Sequence, residues 1–187
     1  MTEICENLDF RLPVSEANDN DLTTIQGKNG KAKGQVVYIR GKVLRDTWGT
    51  LKPVQGAVLI EWIERLYDDN FQYWERCITD ADGNYSFKTI VLGFYPVNFE
   101  KQWYRPPHLH FMVMAPGVPQ LVTQLYFKGE QVPGNDFIQE LNAKDGILRS
   151  NRMTQAEQES VIIEYTKDST SLITDGLVGH YNFVLTL

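Results

Sequence analysis

The chain has 187 residues, of which 42% are hydrophobic and 12% aromatic, and its formal net charge is −6 with a sequence pI near 5.1. This composition is typical of one globular domain large enough to bury a core, and it excludes a disordered chain. The acidic balance argues against a nucleic-acid-binding groove and against binding to an anionic membrane surface, because both need clustered Lys and Arg. We therefore expect no nucleic-acid partner and no membrane partner.

The N-terminus and the cysteines indicate a cellular compartment. Residues 1–6 have neither the basic nor the apolar segment of a signal peptide, and no apolar run approaches the length of a membrane span. Cys5 and Cys77 lie far apart in the sequence. They could form a disulfide, but two free thiols in a reducing compartment agree better with their surroundings. We expect a cytoplasmic protein.

In chain order, a polar arm is followed by a series of short strands. Residues 1–33 show no core-forming period, so we expect a loosely held tail or an arm that packs on a neighbouring subunit, followed by one domain over residues 34–187. Runs of β-branched and aromatic residues between turn residues then predict strands. These strands cover residues 35–44, 57–63 with an extension as far as 67, 71–79, 85–90, 109–115, 121–127 and 180–187. Many short strands of this kind predict an antiparallel β-sandwich or a barrel.

Helix is scarce. Residues 137–141 can form a short helical turn, and Thr154 followed three residues later by Glu157 is typical of a capped helix start. The β-branched run at 161–163 should end that helix early. Residues 93–103 are predicted to form a long loop.

Two histidines mark the candidate site. His108 and His110 are two of the three histidines in the chain, and they run directly into an apolar segment at 111–114. Because residues i and i+2 of a strand point to the same face, both imidazoles can reach one metal ion. The pattern fits metal binding, since imidazole is the commonest metal ligand, and it also fits an exposed strand face that carries two imidazoles.

A tyrosine ahead of the histidines bears on this choice. Tyr95 lies in a predicted loop, where a tyrosine is usually a surface or packing residue. Beside a pair of histidines it has a second interpretation, because phenolate is a hard, anionic oxygen donor. Two imidazoles and two phenolates make a charge-balanced site suited to Fe(III) rather than to a metal that prefers thiolates.

On these residues, the chain resembles the intradiol ring-cleavage dioxygenases, of the protocatechuate 3,4-dioxygenase type rather than the catechol 1,2-dioxygenase type. The specific motif is Arg-Pro-Pro-His-Leu-His at 105–110, with Gly-Phe-Tyr-Pro upstream at 93–96. The run Thr-Asp-Ala-Asp-Gly-Asn-Tyr-Ser-Phe at 79–87 also matches, although non-enzymatic β-sandwich modules carry it too. The resemblance covers residues 38–131 and a final strand at 181–185, and it implies an all-β, prealbumin-like antiparallel β-sandwich with long loops and little helix.

The resemblance also implies a metal centre, a mononuclear non-haem Fe(III) held by two histidines and two tyrosinates. His108, His110 and Tyr95 match three of these ligands directly. The fourth ligand lies in a loop that is shorter here than in the family, and the sequence around it favours Tyr67 over Tyr73 without deciding between them. Both tyrosines could instead be strand aromatics, which would leave an altered site.

The implied reaction is intradiol cleavage of a catechol-type aromatic diol by O2, with a product of the cis,cis-muconate type. In the family, the tyrosinate that matches Tyr95 gives way to the substrate and acts as a base for one of its protons. The resemblance makes Arg105 the guanidinium that stabilises anionic charge on the ring, and Gln124 matches an active-site glutamine. The shortened loop also shapes the family's substrate pocket, so the identity of the diol stays open.

Two alternatives accompany this interpretation. One is a family member with altered metal chemistry or an altered substrate, because of the short loop. The other is a non-catalytic β-sandwich partner subunit, and the presence of Tyr95, His108 and His110 argues against it. The polar arm and the exposed strand edges lead us to expect a homo-oligomer.

Overall fold

The computed structural model describes residues 20–25, 28–62, 74–98, 100–129, 137–150, 152–168 and 175–186. Within these ranges the chain forms thirteen strands and two short helices. They are β1 (Val36–Thr47), β2 (Thr50–Pro53), β3 (Val58–Trp62), β4 (Trp74–Ile78), β5 (Asn84–Ile90), β6 (Tyr95–Asn98), β7 (Trp103–Arg105), β8 (His108–Met114), β9 (Leu121–Phe127), α1 (Ile138–Lys144), α2 (Gln155–Ser160), β10 (Ile162–Ile163), β11 (Tyr165–Lys167), β12 (Leu177–His180) and β13 (Phe183–Leu185). Neither helix in the described part of the chain is long and apolar enough to cross a membrane.

Two main sheets form a β-sandwich. One sheet has the order β11-β12-β1-β13, and β2 and β5 also pair with β1. The other has the order β10-β9-β8-β3-β4, and β6 pairs with β7 in a separate hairpin. Most pairs are antiparallel, whereas β12 and β13 run parallel to β1, and β10 runs parallel to β9. The all-β sandwich predicted from the sequence is confirmed.

Alternation along β8 divides its side chains between the core and the outer face of the sheet. Phe111 is fully buried between the sheets, whereas His110 beside it points to the outer face. The ring of Phe111 packs against Phe87 and Phe183 of the other sheet, with centroids 5.7 and 5.3 Å away. Each buried ring contributes about 1.5–3 kcal/mol to folding. The core therefore fixes β8 from one side and leaves its other side free to carry polar groups.

The described part of the N-terminal arm packs on the sandwich of its own chain. Leu22 is fully buried in the core, and Ala32 is buried with it. The Leu22 N–H donates to the carbonyl of Lys88 at 2.9 Å, and the Lys88 N–H donates to the carbonyl of Asn20 at 2.7 Å. For these residues the expectation of a loosely held tail is thus wrong, whereas packing of the arm on a neighbouring subunit stays a prediction. The sequence does not reveal this contact, because backbone pairing with β5 needs no apolar period. The domain boundary at residue 33 stays a prediction.

The prediction of a long loop at residues 93–103 is also wrong, because these residues contribute to a hairpin. β6 pairs with β7, and Tyr95 lies opposite Arg105. The chain turns where the Oδ1 of Asn98 accepts a hydrogen bond from the N–H of Lys101 at 2.9 Å and where Gln102 has a φ of 49°. No apolar side chain of either strand is fully buried, so they lack the apolar alternation by which a strand is recognised in a sequence.

The remaining predictions agree in kind and differ in bounds where the structure describes them. The predicted extension of a strand to residue 67 and the predicted strand start at residues 71–73 lie outside the described residues. The final strand predicted at 180–187 is divided into β12 and β13, because Asn182 between them accepts a hydrogen bond from the N–H of Lys42 at 2.9 Å. The capped helix start at Thr154 is confirmed as a capping box that opens α2. Cys77 is a buried free cysteine, and Cys5 lies outside the described residues.

Candidate metal centre

The outer face of the second sheet collects polar side chains in two adjacent rows. β8 lies between β3 and β9, and their register places Trp62 and Gln124 on either side of His110. The neighbouring row places Tyr126 beside His108. Because opposed residues of paired strands share a face, these side chains converge although they come from three strands.

The two histidines are buried and close together. His108 and His110 are 4% and 6% exposed, and their ring centroids lie 5.0 Å apart. His108 Nδ1 is 2.8 Å from the carbonyl oxygen of Pro106, and because a carbonyl only accepts, Nδ1 carries the proton and Nε2 the lone pair. Burial, followed by the neighbouring cation of Arg105, lowers the pKa of His108 well below 6.5, so the ring is neutral at neutral pH. A neutral imidazole oriented through Nδ1 is the form that binds metal ions.

A tyrosine reaches the same place from the β6–β7 hairpin. Tyr95 begins β6, is half-buried, and has its ring centroid 5.8 Å from that of His108. Within the described ranges, no cluster of three or more His, Cys, Asp or Glu side chains is placed to hold a metal ion. A metal ion at the two histidines would therefore need donors of another kind, and the phenol of Tyr95 is one beside them.

Arg105 is buried beside the histidines and is held by several side chains. Its Nε donates to Asp145 Oδ2 at 2.9 Å. Its Nη2 donates to Gln124 Oε1 at 2.7 Å and to the hydroxyl of Tyr126 at 3.0 Å. The third nitrogen, Nη1, lies 3.1 Å from His108 Nε2 and donates to the lone pair there, because a guanidinium in a protein is always protonated. A cation is thus fixed next to the neutral imidazole of His108.

Sequence comparison agrees with this geometry. The family described as Dioxygenase matches residues 12–185 of the chain. The chain belongs to the intradiol ring-cleavage dioxygenase family. It is 31% identical over 184 residues to the protocatechuate 3,4-dioxygenase beta chain of Burkholderia cepacia, a match that covers 90% of this chain and 71% of that protein.

Two further comparisons show how much of this intradiol dioxygenase chain resembles other proteins. The chain is 26% identical over 151 residues to catechol 1,2-dioxygenase 2 of Acinetobacter lwoffii, and the match covers 70% of this chain and 53% of that protein, or about half its length. Among solved structures, the dioxygenase domain of a dioxygenase and carbohydrate-binding protein fusion from Streptomyces sp. SirexAA-E is similar with a TM-score of 0.60 at 26% identity. That likeness covers 90% of this chain and 88% of the other.

Five of the six site residues predicted from the sequence lie in the described part of this dioxygenase chain, and the structure brings them together. They are Tyr95, Arg105, His108, His110 and Gln124. The sixth, Tyr67, and its alternative Tyr73 both lie outside the described residues. The fourth ligand therefore stays a prediction.

Two residues of the arginine network were missed by the sequence analysis. Tyr126 stacks on His108 at 5.5 Å between ring centroids and donates to Gln124 Oε1 at 2.7 Å. It could have been found, because it follows Gln124 by two residues on a strand and so shares its face. Asp145 is fully buried and follows α1 directly. It gives no such signal, since Asp before Gly after a helix is typical of an ordinary turn.

Proposed function

We propose that this protein is an intradiol dioxygenase that opens the ring of a catechol-type diol between its two hydroxyl-bearing carbons, using O2 and one non-haem Fe(III). The observation that carries the proposal is a pair of buried histidines with Tyr95 and the Arg105 cation beside them. Family membership supports the reaction class. The expected product is of the cis,cis-muconate type.

The side chains present fit a ferric ion. The donors would be the imidazoles of His108 and His110 and the phenol of Tyr95, with Tyr67 as the favoured fourth donor and Tyr73 as its alternative. Nitrogen and hard oxygen donors without thiolates suit Fe(III). Bound there, the ion would act as a Lewis acid that lowers the pKa values of the diol hydroxyls and draws electron density from the ring.

The chain's own residues would then act on the substrate. Tyr95, as a phenolate, can accept one hydroxyl proton as the diol binds. Arg105 supplies a fixed positive charge that stabilises anionic charge on the deprotonated ring. His108 Nε2 has a single lone pair, so coordination through this atom requires Nη1 of Arg105 to release its 3.1 Å contact. The bonds of Gln124 and Tyr126 to Nη2 keep the guanidinium close by.

Absorption spectroscopy and metal analysis of the purified protein test the centre. We expect one iron per chain and a red-brown colour from charge transfer between tyrosinate and Fe(III), which changes when catechol is added without O2. Tyr67→Phe and Tyr73→Phe form a matched pair, because only the variant that lacks the true ligand should lose most of the colour. A colourless protein that holds one zinc per chain would contradict the proposal.

A small panel of diols tests the substrate class. Relatives of this chain are named for protocatechuate, catechol and hydroxyquinol, so these three compounds form the panel. Ring opening is followed by the absorbance and mass of the product. We expect the iron-loaded protein to open at least one of them, and failure with all three would count against a catechol-type substrate.

Two expectations about the context of the protein remain predictions. The strand edges lead us to propose a homo-oligomer, which light scattering on a size-exclusion column would measure as a mass above that of one chain. The cytoplasmic location also remains a prediction, and fractionation of the producing cells would test it.

A further inference from the structure

Asp145 binds Arg105 at Nε, whereas Nη1 of the same guanidinium faces His108. The Asp145 carboxylate is completely buried, and burying a carboxylate costs several kcal/mol unless a cation and hydrogen-bond donors compensate. Oδ2 accepts from Arg105 Nε at 2.9 Å, and Oδ1 accepts from the backbone N–H groups of Ile147 and Leu148 at 3.0 and 2.7 Å. The two oxygens therefore have different main roles. Oδ1 closes the turn after α1 and also accepts longer bonds of 3.4 Å from Arg105 Nη2 and the Tyr126 hydroxyl, whereas Oδ2 accepts the short bond from Arg105 Nε.

The guanidinium of Arg105 is held from two directions. β9 supplies the acceptors Gln124 Oε1 and Tyr126 Oη, both of them to Nη2. The turn after α1 supplies Asp145 Oδ2 to Nε. Because a guanidinium is planar, holding Nε and Nη2 keeps Nη1 on the side of His108, also after its contact to Nε2 is released for metal binding. Nη1 is the nitrogen 3.1 Å from His108 Nε2, so it points to the proposed metal centre.

We propose that Asp145 is a positioning residue that orients Arg105, so that Nη1 is presented to the bound substrate; this inference rests on the proposed function. Without the negative charge of Asp145, Nε loses its acceptor and the buried cation loses its counter-charge, so the guanidinium takes up more than one orientation. A cation stabilises developing charge best when it is placed in advance, and a displacement of about 1 Å can slow a reaction on the order of 100-fold. Substrate affinity should depend much less on Asp145, because the diol binds through the metal.

The Asp145→Asn variant separates the two roles of the carboxylate. The Asn side chain keeps an oxygen for the N–H groups of Ile147 and Leu148 and turns an NH2 group toward Arg105 Nε. In the iron-loaded enzyme we expect kcat for ring opening to fall by roughly 10- to 100-fold. We expect KM for the diol to stay within about threefold of wild type. Iron content and the charge-transfer absorption should match wild type, a readout that does not depend on turnover.

The matched control is Asn142→Ala. Asn142 is buried on α1 and donates from Nδ2 to the carbonyl of Phe127 at 2.9 Å, so its loss loosens the helix without removing a contact to Arg105. We expect a lower Tm and a kcat within about twofold of wild type. A kcat loss in this control as large as in Asp145→Asn would overturn the proposal, because any loosening of α1 would then have the same effect. An unchanged kcat in Asp145→Asn, or a loss of iron in proportion to activity, would overturn it too.

Two further measurements keep the inference separable from folding and from the proposed function. Tyr126→Phe removes the hydroxyl that accepts from Nη2 at 3.0 Å and keeps the ring, so it should show a smaller loss confined to kcat even if Asp145→Asn does not fold. An unchanged kcat in Tyr126→Phe would overturn the proposal.

A double-mutant cycle measures the interaction between Arg105 and Asp145 without any substrate. It compares the Tm of wild type with those of Arg105→Met, Asp145→Asn and the double variant. The loss of Tm in the double variant should be well below the sum of the single losses. Additive losses of Tm would overturn the proposal. Non-additive losses in a protein that opens no diol would support the orientation of Arg105 by Asp145 and count against the proposed function alone.

Discussion

Replacing Glu61 by Gln should remove much of the dependence of stability on pH between pH 5 and pH 8. Glu61 lies on the core face of β3, on the side of the strand opposite to Trp62 and the histidines. Burial raises the pKa of its carboxyl from 4.5 to about 8, while the hydroxyl of Thr89 opposes part of this rise. The Thr89 hydroxyl nevertheless makes no hydrogen bond of regular geometry to either carboxyl oxygen of Glu61, as judged from the described residues. The register sets the buried Glu75 directly opposite, so a second carboxyl shares this part of the core.

The sign of the effect follows from the direction of the pKa change. Because the pKa of Glu61 is higher in the folded than in the unfolded chain, the folded state favours the protonated carboxyl. The resulting stabilisation is fully present below about pH 4.5 and is lost as the pH rises toward 8. At 1.36 kcal/mol for each pKa unit, a difference of roughly 3.5 between these two values sets an upper bound of about 5 kcal/mol. Local relaxation and water entry lower the measured effect.

Urea denaturation of the wild-type protein and Glu61→Gln at several pH values between 5 and 8 measures this contribution. The free energy of unfolding should fall more steeply with pH in the wild type, by as much as about 3 kcal/mol over this range. Glu61 faces away from the histidines, so its replacement should leave metal binding unchanged. Any pH dependence that metal binding adds to the stability is then the same in the wild type and in Glu61→Gln and cancels when the two curves are subtracted. Glu100→Gln, which changes an exposed glutamate, should follow the wild-type curve. Parallel curves for the wild type and Glu61→Gln would refute the reasoning.

Three further changes test the fold and the site. Thr154→Ala removes the capping box of α2 and should lower the free energy of unfolding by about 1 kcal/mol. Thermal denaturation measures this loss, and kcat should be unchanged. An unaltered Tm would contradict the capping role. Gly41→Ala would place a Cβ 1.7 Å from the carbonyl oxygen of Tyr181, so this variant should yield little folded protein by circular dichroism, and a wild-type Tm would contradict the close packing there. His110→Ala should abolish iron binding in metal analysis and keep the fold, whereas His180→Ala, which changes an exposed histidine of the other sheet, should bind iron as the wild type does.

The parts of the fold that the sequence predicts are those with a local period. Phe111 and its neighbours in β8 alternate with the histidines, so the pattern predicts both the strand and the face on which each side chain lies. The β6–β7 hairpin has no such period, because its buried position is the polar Arg105 and its apolar Trp103 is exposed. Leu22 was missed for a related reason: a single apolar residue in a polar stretch fills the core without making a pattern.

The same distinction applies to the site. The spacing of His108 and His110 is a local property of one strand, so their common face could be predicted. The bond between Arg105 and Asp145 joins residues 40 positions apart through a turn that packs on the sheet, and no local pattern carries that information. The proposed metal ligands were therefore easier to recognise than the residues that hold the arginine beside them.

A reaction under 18O2 is the most direct test of whether the histidine and tyrosine site of this dioxygenase family member uses O2 to open a diol ring. The iron-loaded protein is supplied with the diol of the panel that it consumes, and the product is analysed by mass spectrometry. We expect a ring-opened diacid that carries both labelled oxygen atoms, and no such product from the His110→Ala variant. A ring-opened product without label, or an intact diol after incubation with fully iron-loaded protein, would contradict this expectation.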